Sequence, residues 1–257
     1  MTLLIPLVIA AMAARSETVQ PTKEVPPPQD AVAAPALPHW SGALSIGATW
    51  TDGNTETTTF NANFNAQRRG EDDRWTFDAF SNYGESSPGT LVTSNNHGGG
   101  AKYDYFFSPK LYSYGQGQSK VDHVADLDLR YILGAGAGYQ WFESEKTKWG
   151  TELGLSYVDE DYEDDTSDES FLGLRVASNL AYQISKTAAF EQVAEAYPSL
   201  EDSDDVVAKL DNRLKLNITG KWIAQIQYVL DFNSSPPNFV EETDHRVVLG
   251  LGWSFGS

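Results

Sequence analysis

The chain has 257 residues, no cysteine and a formal net charge of −18. Its length allows one or two domains, the missing cysteines exclude a disulfide framework, and the charge disfavours nucleic acid, whose phosphates repel an acidic surface. Past the N-terminus no apolar stretch is long enough for a membrane helix, and mean hydropathy is −0.39. A membrane barrel stays open, because half of every barrel strand is polar and its hydropathy averages away.

The first element is a short apolar run from Leu3 to Ala14. It is too short to span a bilayer, and Ala11-Met12-Ala13 fits a small-residue cleavage site. We therefore expect a signal peptide over 1–13 and an exported mature chain. Residues 14–39 carry Pro21, Pro26, Pro27, Pro28, Pro35 and Pro38 among Ala, Gln and charges. Proline lacks a donor N–H and favours extended conformations, so this segment reads as a disordered linker.

From Trp40 onward the pattern changes to strict alternation, and a β-barrel is expected over 40–257. Twelve strands are expected, at 40–51, 56–69, 74–86, 95–107, 110–119, 127–142, 147–159, 169–184, 187–199, 205–218, 221–233 and 243–255. Successive strand side chains point to opposite faces. Leu44, Ile46, Ala48 and Trp50 thus share one face, with Ser45, Gly47 and Thr49 on the other. Leu127, Leu129, Tyr131, Leu133, Ala135, Ala137, Tyr139 and Trp141 oppose Asp128, Arg130, Gly134, Gly136, Gly138 and Gln140. Leu210, Leu214, Leu216 and Ile218 oppose Lys209, Asp211, Arg213 and Lys215. Val247, Leu249, Leu251, Trp253 and Phe255 oppose Arg246, Gly250, Gly252 and Ser254. The ninth strand shows no clear facing.

Short turns such as Ser108-Pro109 and Ser185-Lys186 alternate with longer polar connections such as Glu160 to Asp168 and Ser234 to Glu242. Asp52-Gly53-Asn54-Thr55 alone breaks that order. Outer-membrane barrels sort their connections this way, with short periplasmic turns, and an even strand count puts both termini on one side. The tryptophans fall near strand ends, where interfacial girdles sit. The fold expected is therefore an all-β, antiparallel transmembrane β-barrel of about 12 strands, in the Gram-negative outer membrane with a periplasmic N-terminus. A soluble lipocalin-like barrel, with its greasy face inward, is the alternative that periodicity alone leaves open.

Several motifs together resemble a known family. They are Trp40-Ser41-Gly42, Gly53-Asn54-Thr55, Asp73-Arg74-Trp75, Tyr103-Asp104-Tyr105-Phe106, Asp126-Leu127-Asp128-Leu129-Arg130, Tyr197-Pro198-Ser199-Leu200-Glu201-Asp202 and Leu249-Gly250-Leu251-Gly252-Trp253-Ser254-Phe255. In order and spacing they resemble the YdiY-like family of bacterial salt-induced outer membrane proteins, over about residues 40–255. The resemblance implies an outer-membrane location and a link to osmotic stress. It implies no catalytic residue and no substrate.

The candidate functional residues are the charges expected on the inner face. These are Arg130, Arg175, Arg213 and Arg246, with Asp128, Asp211 and Asp231. Mixed charge at mid-strand suits either a narrow channel for small polar solutes or a closed, salt-bridged interior. Gly134, Gly136, Gly138, Gly250 and Gly252 leave room on that face. The acidic run from Asp159 to Glu169 lacks the glycine turn and spacing of a calcium loop and reads as a solvated connection, so no metal and no cofactor are expected. His97 could serve a lipid hydrolase, but no G-x-S-x-G elbow is present and the expectation is a non-enzyme. The partners expected are outer-membrane lipid and, during biogenesis, the barrel-assembly machinery, with no nucleic acid.

Overall fold

Alternating apolar and polar residues become strands when every strand has a neighbour on both sides to take up its backbone N–H and C=O groups. A computed structural model describes residues 40–51, 56–87, 91–163, 168–202, 204–236 and 240–256. The expected signal peptide over 1–13, the linker over 14–39 and the tight connection over 52–55 lie outside the described residues. The strands are β1 (Trp40–Thr51), β2 (Glu56–Arg69), β3 (Asp73–Ser87), β4 (Leu91–Phe106), β5 (Leu111–Asp122), β6 (Leu127–Glu143), β7 (Thr147–Tyr162), β8 (Glu169–Ser185), β9 (Ala188–Pro198), β10 (Val206–Thr219), β11 (Trp222–Asn233) and β12 (Thr243–Phe255). Each pairs antiparallel with the next, and β12 pairs with β1 to close the barrel. The closing seam is short, running from Gly42↔Phe255 to Ile46↔Leu251.

The observed strands follow the expected ones, with extensions of β4 back to Leu91, β5 on to Asp122 and β7 on to Tyr162. All three extensions lie at the end that bears the longer connections. There the outer face carries Asn95, Asp159 and Asp161, so the ladder continues without the apolar alternation that marks a strand in sequence.

The register decides which face is outside. Leu44, Ile46, Leu153, Leu155, Val247, Leu249 and Leu251 are all more than half exposed on the outer wall. Ser45, Gln116, Glu152, Arg175, Gln225 and Gln227 are buried on the inner one. This is the reverse of a lipocalin, whose apolar face lines the inside. In β9, Glu195 lies opposite Ala177 of β8 and Lys209 of β10, so Glu191, Val193, Glu195 and Tyr197 face inward. Trp40, Trp75, Trp141, Trp149, Trp222 and Trp253 gather at the end with the short turns, where Trp222 and Trp253 meet edge to face. Tyr83, Tyr131 and Tyr157 ring the opposite margin, and the Tyr131 and Tyr157 rings lie 6.0 Å apart. Two aromatic girdles bounding an apolar band are the signature of a barrel built for a bilayer.

The interior is filled rather than hollow. Ile132, Val158, Phe171, Tyr197 and Val207 form an inward apolar cluster, and Phe106, Tyr112 and Tyr114 form a second. The second depends on the glycines of β6. A Cβ on Gly138 would overlap the Tyr112 ring, and one on Gly136 would approach the Tyr114 hydroxyl. Glycine at these inward positions lets two tyrosines of β5 lie across the neighbouring strand.

Candidate functional site

The polar inner face becomes a charged belt that crosses the lumen towards the short-turn end. Arg74 of β3 donates from Nε to Asp104 Oδ2 of β4 at 2.6 Å, and Lys102 Nζ lies 2.8 Å from Asp104 Oδ1. Lys102 then reaches over β5 and β6 to Glu152 of β7. The side-chain-free positions of β6 keep that path open. Glu152 also accepts from the Tyr112 hydroxyl at 2.8 Å and from Arg175 Nη1 of β8 at 2.6 Å. Arg175 continues to Glu195 of β9, and Gln118 donates to the same carboxylate at 3.2 Å. Arg175 is 1% exposed and Glu152 3%, so neither charge keeps a water shell of its own. A buried ion of this kind is tolerated only when paired and hydrogen-bonded.

A second set of charges lies along the wall towards the long-connection end. Arg213 holds Asp211 at 2.6 Å, and Gln227 donates to both oxygens of Asp211 at 3.0 Å. Asp231 receives Lys120 at 3.4 Å and Arg246 at 3.5 Å. Arg130 pairs with Glu160, which also accepts from the Tyr162 hydroxyl at 2.8 Å. Three small cavities follow this wall, of about 20, 60 and 40 Å³. The first two share Asp78, Phe80, Lys209 and Arg246, and the last two share Lys120, Arg130 and Asp231. A cavity needs only about 10–15 Å³ of this kind of space to hold one water, so each of these has room for water or a small ion. Lys209 has no carboxylate within ion-pair distance among the described residues, and it lies 5.5 Å over the Phe80 ring.

Of the seven charges singled out in sequence, Arg130, Arg175, Arg213, Arg246, Asp211 and Asp231 face this lumen. Only Arg213 with Asp211 and Arg246 with Asp231 are paired within that set. Asp128 is the correction. A bulge between Leu127 and Leu129 inverts the alternation, so Leu127 turns inward at 2% exposed and Asp128 turns out to solvent. Bulges re-aim side chains in this way, and no alternation pattern announces them. Lys102, Asp104, Glu152 and Glu195 were missed in sequence, and Glu160, read there as part of a solvated connection, is instead 2% exposed near the end of β7 and paired with Arg130. Glu152 carried a usable signal, because it stands in phase with Gly150 and Gly154 on the small-residue face of β7. His97 faces outward opposite Ser81, and among the described residues no hydrogen bond joins the two.

One titration lies outside the apolar band. Glu169 is the first residue of β8, paired in register with Glu160 and level with the outward-facing carboxylates Asp159 and Asp161. Burial, and then the neighbouring Asp205 carboxylate, push its pKa from 4.5 up to about 7. The folded state therefore holds a proton that the unfolded chain has released. Its stabilising contribution is full below 4.5 and is lost as pH rises through about 7. The urea midpoint should accordingly fall across that window, and Glu169→Gln should flatten the fall. An identical slope in the variant would contradict the assignment.

A closed antiparallel sheet with charges inside and an apolar, aromatic-bounded wall outside defines the class of transmembrane β-barrels. Within that class, the chain belongs to the protein family of unknown function DUF481, whose model matches residues 44–255. It is 24% identical over 222 residues to the uncharacterized protein YdiY of Escherichia coli strain K12, covering 86% of this chain and 85% of that protein. Among solved structures it is similar to the NanC porin, with a TM-score of 0.48 and 10% identity over 84% of this chain and 100% of that one. It is also similar to the COG4313 outer membrane channel of Pseudomonas putida F1, with a TM-score of 0.47 and 13% identity over 90% of this chain and 100% of that one.

Proposed function

We propose that this protein is an outer-membrane barrel with a mostly closed, salt-bridged lumen, which passes at most small polar solutes or ions. The observation that carries the reading is the belt from Arg74 through Glu152 and Arg175 to Glu195, which spans the interior where a wide pore would need open water. The lumen charges Arg130, Arg213, Arg246, Asp211 and Asp231 line the remaining small spaces and set what can enter them. The protein has no enzymatic step in this reading. Its partners are the surrounding lipid and, during biogenesis, the barrel-assembly machinery. The short-turn end and the N-terminus face the periplasm. A role in salt stress, as the family resemblance implies, would appear as a growth defect of a deletion strain confined to high osmolarity.

The test of location is fractionation of the mature protein. It should sediment with the outer membrane, resist alkaline extraction and run differently on a gel with and without boiling, because a closed ladder has no free edge from which to open. An epitope inserted after Asp161 should be reachable on intact cells, and one at Ser144-Glu145 should not. Recovery in the soluble periplasm without detergent, or equal access at both positions, would overturn the reading.

A further inference from the structure

Away from the lumen, side chains with metal-ligating chemistry converge on the outer surface at the long-connection end. His123 lies just past β5, Asp128 stands on the bulge of β6, and Glu163 follows β7. One ligand atom from each lies within 4.8 Å of the others. A second imidazole is beside them: the His97 ring on β4 has its centroid 6.3 Å from that of His123. The chain has four histidines in all, so half of them meet at this one place.

We propose that His123, Asp128 and Glu163, with His97 as a fourth ligand, bind a late first-row divalent cation of the zinc class. Three observations carry this. First, the donor set is mixed, with two imidazole nitrogens and two carboxylates. Imidazole suits zinc, copper and nickel, whereas calcium and magnesium take oxygen ligands throughout. Neutral imidazoles with two carboxylates also balance the charge of a divalent ion. Second, the spacing is close to what one tetrahedral ion needs. Two imidazoles bound through nitrogen at about 2.0–2.1 Å place their ring centres roughly 5 Å apart, against 6.3 Å here, so the exposed His97 ring must draw nearer to His123 to join the ion.

Third, these side chains are not engaged elsewhere. Among the described residues, none of the four side chains makes a hydrogen bond or ion pair, although much of the barrel's charge is paired. The backbone already holds their segments together. His123 N donates to Asn95 O at 3.1 Å, and Glu163 N donates to Asp126 O at 3.0 Å. The bulge that removes Asp128 from the lumen delivers it to this group. A bound ion would tie the β5–β6 turn to the segment following β7, staple-fashion, at the mouth of the barrel.

The experiment is calorimetric titration of the full, tag-free barrel in detergent with zinc chloride, and separately with magnesium chloride. One saturable zinc equivalent is expected, with no matching magnesium binding. His123→Ala, Asp128→Asn and His97→Ala should each weaken zinc binding by at least about tenfold, the smallest loss expected when even an outer-shell partner of a metal site is removed. All three positions are exposed, so the variants should keep the gel shift of the folded barrel. Absence of saturable zinc binding, binding unchanged in His123→Ala, or equal binding of magnesium would overturn the proposal.

Discussion

Arg175→Met should destabilise the barrel by about 3–5 kcal/mol, because it leaves the buried Glu195 without a cation and Glu152 with Lys102 alone. Arg175 donates to Glu152 at 2.6 Å, pairs with Glu195 and lies 4.8 Å over the Tyr114 ring. The guanidinium is 1% exposed, so its charge is met by these partners and not by bulk solvent. The loss is read as a lower urea midpoint for conversion of the fast-migrating folded band. The sharper comparison is the triple variant Arg175→Met, Glu152→Gln and Glu195→Gln. Removing Arg175 together with both of its carboxylate partners should recover part of the loss, with Lys102 then held by Asp104 alone, because a buried pair replaced by neutral groups of similar volume is often near neutral. A single variant no weaker than the triple would show that the belt is solvated.

Leu153→Arg should cost about 2–4 kcal/mol in a bilayer, the penalty for a cation at the hydrocarbon midplane. Leu153 is 60% exposed and stands on the outer wall of β7 midway between Trp149 and Tyr157, hence between the two girdles. Tyr157→Arg, at the margin, should cost about 0–1 kcal/mol, because the side chain can reach the interface there. This dependence on depth separates lipid from water outside the barrel. Equal, small effects at both positions would mean that the wall meets water.

The barrel was legible in the sequence because its two faces differ strongly in most strands. In β12, Val247, Leu249, Leu251 and Trp253 separate cleanly from Arg246, Gly250 and Gly252, and the two sets are observed on opposite faces. In β9 the contrast fails. Outward Ala188, Ala194 and Ala196 are small and inward Val193 is apolar, so only the register to β8 and β10 settles the face. Asp128 was misplaced for a different reason: a bulge changes the phase of two residues without changing composition.

The partners across the lumen could not be read at all. Lys102 and Glu152 are 50 positions apart, and Gln116 and Tyr197 are 81 apart. Their meeting depends on barrel closure and strand stagger, which a single strand's pattern does not encode. The inner-face arginines were therefore found as a set, whereas the belt that organises one of them emerged only from the fold.

The most direct test of the closed, charge-paired lumen is conductance of the purified, unmodified protein in a planar bilayer. The belt predicts a silent protein, or at most small unresolved steps, at voltages that leave the barrel intact. Arg175→Met, in the fraction that folds, should conduct more than the native chain. Large, stable, ohmic steps from the unmodified protein would contradict a closed interior and make a general diffusion pore the correct description.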